Sequence, residues 1–315
     1  MNPLPSLRFA GKAFLVTGAA RGIGEAVVRR LASEGADIAA ADLDEAGLVA
    51  LAADLTEKGT RVVTAAFDTR DSAATDAFVA RAVETLGRLD GAVPCAGIAR
   101  AARAEEMSDA AFADVLGINL TGVFYTCRAV GRVLLAQGAG AIVNLASITA
   151  KGGQPGRANY AASKWGLAGL TKSLAVEWGH RGVRVNALAP NGVDTPMIHD
   201  GIPADFLENV MLDRTPLGRL ASPEEVAGVI AFLLSAEAAY INGAVLEVEA
   251  GARRDGTLTG LRGRLVRELE LLAQARDALR LLVIPAAVPG RFPQQPGIAP
   301  TNRLGPAHPW SPWQV

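Results

Sequence analysis

The sequence predicts an α/β fold, a doubly wound seven-stranded parallel sheet of the Rossmann type with helices on both faces, followed by a C-terminal helical and proline-rich extension. Three observations carry this expectation. Short β-type runs alternate with longer runs of helical period, a glycine-rich turn joins the first strand to the first helix, and a carboxylate ends the second strand. Such alternation implies parallel strands, because each right-handed crossover must lay its helix back on the sheet.

The first strand is the apolar run Ala13 to Gly18. It leads into a helix over Gly22 to Glu34, where Ile23, Val27, Val28 and Leu31 share one face. Further strands are expected at Ile38 to Ala41, Val62 to Phe67, Gly91 to Cys95, Ala141 to Leu145, Val183 to Leu188 and Val245 to Val248. Ser72 to Leu86 repeats the helical period with Phe78, Val79, Val83 and Leu86. This domain is expected to span residues 1–251. Beyond Gly251 the composition changes: residues 252–315 hold nine arginines and four acidic residues, a charge of +5, which leaves -6 for the rest. Leu261, Leu265, Leu269, Leu272, Leu279 and Leu282 have helical spacing, which predicts a helix at about 258–284 that docks on the body or on another subunit. Eight of the seventeen prolines fall between Pro285 and Pro312, so an extended arm is expected there.

Composition removes several function classes. With 31 basic and 32 acidic residues the net charge is -1, so no nucleic-acid footprint is expected. Cys95 and Cys127 make no disulfide framework, which fits a reducing cytoplasm. His180, His199 and His308 lie far apart in sequence, so no metal site is expected. The N-terminal segment lacks the apolar core of a signal peptide, and no later run is expected to approach the roughly eighteen apolar residues that span a bilayer. Neither secretion nor a membrane partner is expected.

The turn after the first strand reads Thr17-Gly18-Ala19-Ala20-Arg21-Gly22-Ile23-Gly24. Its glycines let backbone approach a pyrophosphate, whose charge meets unpaired N–H groups at the helix start. Asp42 stands at the end of the second strand, where a carboxylate can accept hydrogen bonds from ribose hydroxyls. Downstream, Tyr160 and Lys164 lie four residues apart and therefore share a helix face. A nearby cation favours the phenolate and can draw a tyrosine, normally at a pKa of roughly 10, toward work as a general base. Ser147 follows the fifth strand, at the carboxyl edge where such sheets bind ligands.

Taken together, TGAARGIG, Asn119 in INLTGVF, Ser147 and Tyr160-x-x-x-Lys164 resemble the short-chain dehydrogenase/reductase family over about residues 8–251. The resemblance implies hydride transfer between a nicotinamide and a secondary alcohol or ketone. Tyr160 would move the hydroxyl proton, Ser147 would hold the substrate oxygen, Lys164 would bind the nicotinamide ribose and depress the Tyr160 pKa, and Asn119 would hold a water linking Lys164 to solvent. By the same resemblance Gly18, Arg21, Gly22, Ile23, Gly24, Asp42, Asp68, Thr69, Ala96, Gly97, Tyr160, Lys164, Pro190, Val193 and Thr195 are the cofactor-side residues. Ser147, Thr149, Gln154, Asn191 and His199 are the substrate-side candidates. An apolar lid is implied at about 196–218, with Ile202, Phe206, Leu207, Val210 and Met211. The chain departs from the family at Pro94-Cys95, where two asparagines are usual, at Asn191, where glycine is usual, and at Glu249-Ala250-Gly251, where Asp-Gly-Gly is common. Asn191 is expected to survive in the turn because asparagine tolerates positive φ.

The expected function is NAD-linked oxidoreduction of a small alcohol or ketone such as a polyol, a sugar or a small carbonyl compound. An NADPH-dependent 3-oxoacyl thioester reductase and a non-catalytic dinucleotide-binding regulator or scaffold are the alternatives. NAD is favoured over NADP because Asp42 sits where a 2′-phosphate would lie and neutral Leu43 follows it. Arg21 is the competing influence, expected to be occupied by Asp42 when NAD is bound. A homotetramer or homodimer is expected through the Tyr160 helix, whose far side carries Ala162, Gly166, Gly169 and Ser173.

Overall fold

β1 (Ala13–Thr17) is buried at every position, and its side chains alternate between two cores. Phe14 and Val16 enter one face, Ala13 and Leu15 the other, as a strand covered on both sides requires. Six further strands complete the sheet: β2 (Asp37–Asp42), β3 (Val62–Ala66), β4 (Gly91–Pro94), β5 (Gly140–Leu145), β6 (Val183–Pro190) and β7 (Val245–Val248). All pairings are parallel, in the order β3-β2-β1-β4-β5-β6-β7. The order reverses direction at β1 and β4, which opens a crevice at their carboxyl ends.

The computed structural model describes residues 7–201 and 207–251. They belong to one compact unit, Met1–Leu265; a second unit, Val266–Val315, lies outside the described residues. So do the helix expected at about 258–284, the proline arm, and Ile202 and Phe206 of the lid.

α1 (Gly22–Ser33), α2 (Glu45–Glu57) and α8 (Pro223–Leu234) bring Val27, Leu31, Leu48, Leu51, Val226 and Ile230 to the first core. α3 (Ser72–Leu86), α5 (Val123–Gln137) and α6 (Ala158–Gly179) bring Phe78, Val79, Val130, Leu134, Leu167 and Trp178 to the second. α4 (Asp109–Leu116) packs beside α6, and the short α7 (Pro196–Gly201) lies along the crevice. Local chemistry sets the helix starts. Asp44, Asp71 and Ser108 each accept a backbone N–H at an N-cap, and Ser222 with Glu225 forms a capping box before α8.

Two local features depart from the sequence expectations. The helical run Asp109–Gln137 is long and apolar enough to cross a membrane by length and composition, contrary to the expectation that no stretch would approach this. Here Val115, Val123, Cys127, Val130 and Leu134 in that run are buried within the domain, so its apolar character serves the core. The run is interrupted by a π-turn at Gly117–Gly122, a distortion often found at functional sites. Pro94 stands in a central strand, a place proline normally avoids for want of an N–H. β4 pairs with β5 only at Gly91 and Ala92, so the ladder has already opened where Pro94 falls.

Candidate active site

A cleft of about 600 Å³ runs across the carboxyl ends of β1 to β6. Every site residue expected from the sequence lines it except Asn119, Thr149, Gln154 and His199.

The dinucleotide end is shaped by close backbone contact. Gly18 has φ +65°, and a Cβ there would lie 2.7 Å from the Ala96 nitrogen, while a Cβ on Gly24 would lie 1.9 Å from the Gly18 oxygen. Only glycine satisfies either position. Asp42 turns back onto this loop: its Oδ2 accepts from the Ala20 N–H at 2.9 Å and its Oδ1 from the Asp44 N–H at 3.1 Å. Arg21 is exposed and forms no ion pair among the described residues. Asp44, overlooked in the sequence, adds a second carboxylate to the cleft wall, and its signal was the N-cap position before α2. Asp68 lies across the cleft, held by Arg70, whose Nη2 donates to Oδ2 at 2.6 Å and keeps the carboxyl below its usual range. These donors, glycines and carboxylates fit a dinucleotide, with room for backbone to meet a pyrophosphate and acceptors placed for ribose hydroxyls.

The chemical end is built by α6 and the segment after β5. Tyr160 is half-buried, and Lys164, four residues on, is 5% exposed. Lys164 Nζ donates to the Leu145 carbonyl at 2.7 Å and lies 5.4 Å from the Tyr160 ring centroid. Burial pushes the ammonium down to about 8, with a small opposing influence from Cys95. Burial raises the Tyr160 phenol, opposed by a hydrogen bond from the Ser147 hydroxyl and by the charge of Arg157. Burial thus holds the tyrosine as a neutral acid near neutral pH. Cys95, in place of the family's asparagine, is a thiol pushed up to about 12 by burial.

The remaining expected residues lie behind or beside the cleft. Asn119, fully buried in the π-turn, accepts from the Ile98 N–H at 2.8 Å and donates to the Ile98 carbonyl at 2.9 Å and the Ser163 hydroxyl at 3.3 Å. Both amide N–H groups are thus used, and the side chain clasps the segment after β4. Thr149 is buried with its hydroxyl unpartnered, and its N–H donates to Ser147 Oγ at 3.2 Å. Gln154 sits in the loop before α6, and His199 lies 2.6 Å from Asp194 on the exposed side of α7. Asn191 does line the cleft, donating to Thr215 Oγ1 at 3.2 Å, but it has no positive φ. The left-handed non-glycine residue among the described ones is Ala250, at φ 53°. The turn thus forms with Asn191 without calling on that tolerance, and the Asn191 N–H is held by the Val248 carbonyl at 2.9 Å.

A Rossmann sheet whose cleft joins a glycine turn to a Ser-Tyr-Lys cluster defines a dinucleotide-dependent oxidoreductase, and the comparisons agree. The family profile described as enoyl-(acyl carrier protein) reductase matches residues 18–253. The chain is 45% identical over 249 residues to D-threitol dehydrogenase of Mycolicibacterium smegmatis, covering 78% of this chain and 94% of that protein. It is 39% identical to the 3-oxoacyl-(acyl-carrier-protein) reductase of Thermotoga maritima, covering 78% and 99%. The crystal structure of a dehydrogenase/reductase from Sinorhizobium meliloti 1021 superposes with a TM-score of 0.74 at 36% identity, covering 79% of this chain and 98% of that one. The chain belongs to the short-chain dehydrogenase/reductase family. It is an oxidoreductase of CH–OH groups on a small-molecule substrate and works with a nicotinamide dinucleotide.

Proposed function

We propose that the protein is an NAD-dependent dehydrogenase of a small polyol or related secondary alcohol. The observation that carries this reading is the convergence of Ser147, Tyr160 and, one helical turn on, buried Lys164 on one wall of the dinucleotide cleft. When bound, the dinucleotide supplies or accepts the hydride. Ser147 holds the substrate oxygen, Tyr160 exchanges the hydroxyl proton at its phenol oxygen, and Lys164 orients the nicotinamide ribose. Ile98, Met197 and Ile198 add apolar wall beside this cluster. The relation to D-threitol dehydrogenase supports the polyol class.

NAD follows from charge. Asp42 and Asp44 both face the place a 2′-phosphate would occupy, and Leu43 between them is apolar. Like charges about 5 Å apart at an effective dielectric near 20 repel by about 3 kcal/mol per unit charge, before screening. A preference on the order of a hundredfold in kcat/KM is expected with NAD over NADP on a panel of polyols, sugars and aryl ketones. Values within about threefold, or favouring NADP, would overturn the assignment. The second reading, NADPH-dependent 3-oxoacyl thioester reduction, is favoured by the unpaired guanidinium of Arg21 and by the Thermotoga maritima relative. In that case NADPH and a 3-oxoacyl thioester would be the better pair in the same assay.

The rest of the reading comprises a catalytic domain over residues 1–251 with a lid at about 196–218, an extension over 252–315, a homodimer or homotetramer, and a cytoplasmic location. The two unpaired thiols, Cys95 and Cys127, support the last.

A further inference from the structure

Asn191 follows β6 directly at its carboxyl end, where its N–H is held by the Val248 carbonyl of β7 at 2.9 Å. On the neighbouring strand Ser147 stands two residues past Leu145. The pairing of Leu145 with Leu188 sets Ser147 and Asn191 on adjacent strand ends, and both line the cleft. A chain of hydrogen bonds orients the Asn191 amide. Thr215, 6% exposed, donates its hydroxyl proton to the Met211 carbonyl at 2.8 Å. Its Oγ1 is left as an acceptor, and Asn191 Nδ2 donates to it at 3.2 Å. A hydroxyl has one proton, so an amide turned end for end would set Oδ1 against Thr215 Oγ1, two acceptors face to face. Oδ1 is therefore the atom turned away from Thr215, and it accepts no hydrogen bond among the described residues.

We propose that Asn191 is a specificity-determining residue whose Oδ1 accepts a hydrogen bond from a second hydroxyl of the substrate, on the carbon next to the one oxidised. This rests on the reading of the protein as a dehydrogenase of small polyols, and it names the feature of a polyol that the cleft recognises. Neighbouring strands lie about 4.8 Å apart, so Ser147 holding one oxygen leaves Asn191 beside the next. Other side chains favour the same ligand chemistry. Asp200 lines the cleft with a further acceptor, while Arg100, a donor on the same cleft, is drawn to Asp114 at 3.7 Å. A vicinal diol brings the donor that Oδ1 needs. An alcohol with one hydroxyl, or the 3-oxo group of a thioester, brings none. Binding such a molecule leaves Oδ1 desolvated and unpaired, which is how a polar site rejects an analogue.

The test compares 2,3-butanediol with 2-butanol, and 1,2-cyclohexanediol with cyclohexanol, as substrates of the full-length protein with whichever dinucleotide it prefers. The wild type is expected to favour each diol by about tenfold or more in kcat/KM. Asn191→Gly should lose at least about tenfold more on the diols than on the mono-alcohols, whereas Asn191→Asp, which keeps an acceptor oxygen, should hold the preference within about threefold. Thr215→Val leaves Asn191 in place but frees its amide to turn over. It should give an intermediate loss, and it supplies the readout if the Asn191 variants do not fold. Calorimetry on the same variants follows dinucleotide binding, whose Kd in Asn191→Gly should change by less than about threefold. A wild type that favours the mono-alcohols, or oxidises neither class, overturns the polyol reading and this proposal with it. A wild type that favours the diols while Asn191→Gly keeps that preference within about twofold overturns the proposal alone. A dinucleotide Kd weakened beyond about threefold, with the diol preference intact, also overturns it and gives Oδ1 to the nicotinamide carboxamide.

Discussion

Lys164 illustrates how burial sets both the chemistry and the stability of a side chain. An unfolded lysine titrates near 10.4, whereas this one titrates at about 8 in the folded chain. Below about pH 8 both states carry the proton, and the folded state bears the full cost of a buried ammonium. Between about 8 and 10.4 the folded chain releases a proton that the unfolded chain keeps, so stability rises with pH across that window. Lys164→Met should therefore be folded and at least as stable as the wild type at about pH 7, while activity falls by two or more orders of magnitude. Its advantage in Tm should shrink by about pH 10. A variant clearly less stable at neutral pH would show that the bond from Nζ to the Leu145 carbonyl outweighs the desolvation.

Several helix starts of this chain follow side-chain caps, and the turn after β7 carries a backbone exception. Ala250 adopts φ 53°, a left-handed conformation that costs a non-glycine residue about 1–2 kcal/mol. Glycine removes that cost and adds about 0.5–1 kcal/mol of unfolded-state entropy. Ala250→Gly is expected to leave stability unchanged or raise it by up to about 1 kcal/mol in urea denaturation. A loss above about 0.5 kcal/mol would mean that the methyl group has a packing role that outweighs the strain. The π-turn at Gly117–Gly122 is a second exception, and it delivers the Asn119 amide to the Ile98 backbone.

At the scale of the molecule, the outer face of α6 is the feature without a partner in the described chain. Trp165 is 53% exposed and Val176 82%, with Ala162, Gly169 and Ser173 exposed between them. Gly166, expected on this stripe, is instead half-buried beside Leu120. An apolar, small-residue face on the helix that carries Tyr160 is suited to a second copy. Trp165→Glu is expected to lower the sedimentation coefficient at micromolar concentration and to reduce activity with it, because α6 loses lateral support. A variant that sediments as the wild type does would move the interface elsewhere.

The sequence alone determined the seven strands to within one or two residues at most ends, the glycine turn, and the placing of Ser147, Tyr160 and Lys164 on one cleft. These are legible because local pattern encodes them: strand runs are apolar, turns need glycine, and residues four apart share a helix face. Asp42 was legible for the same reason, as the residue ending a strand. Only the tertiary structure decided what surrounds each group. The Asn119 amide is shared between Ile98 and Ser163, Asp42 is bound by the Ala20 and Asp44 N–H groups, and Asn191 is spared positive φ. The titration of Tyr160 and Lys164 likewise depends on desolvation, contributed by β4, β5 and the segment after them together. Burial and charge proximity sum over segments distant in the chain, so no local spacing encodes them.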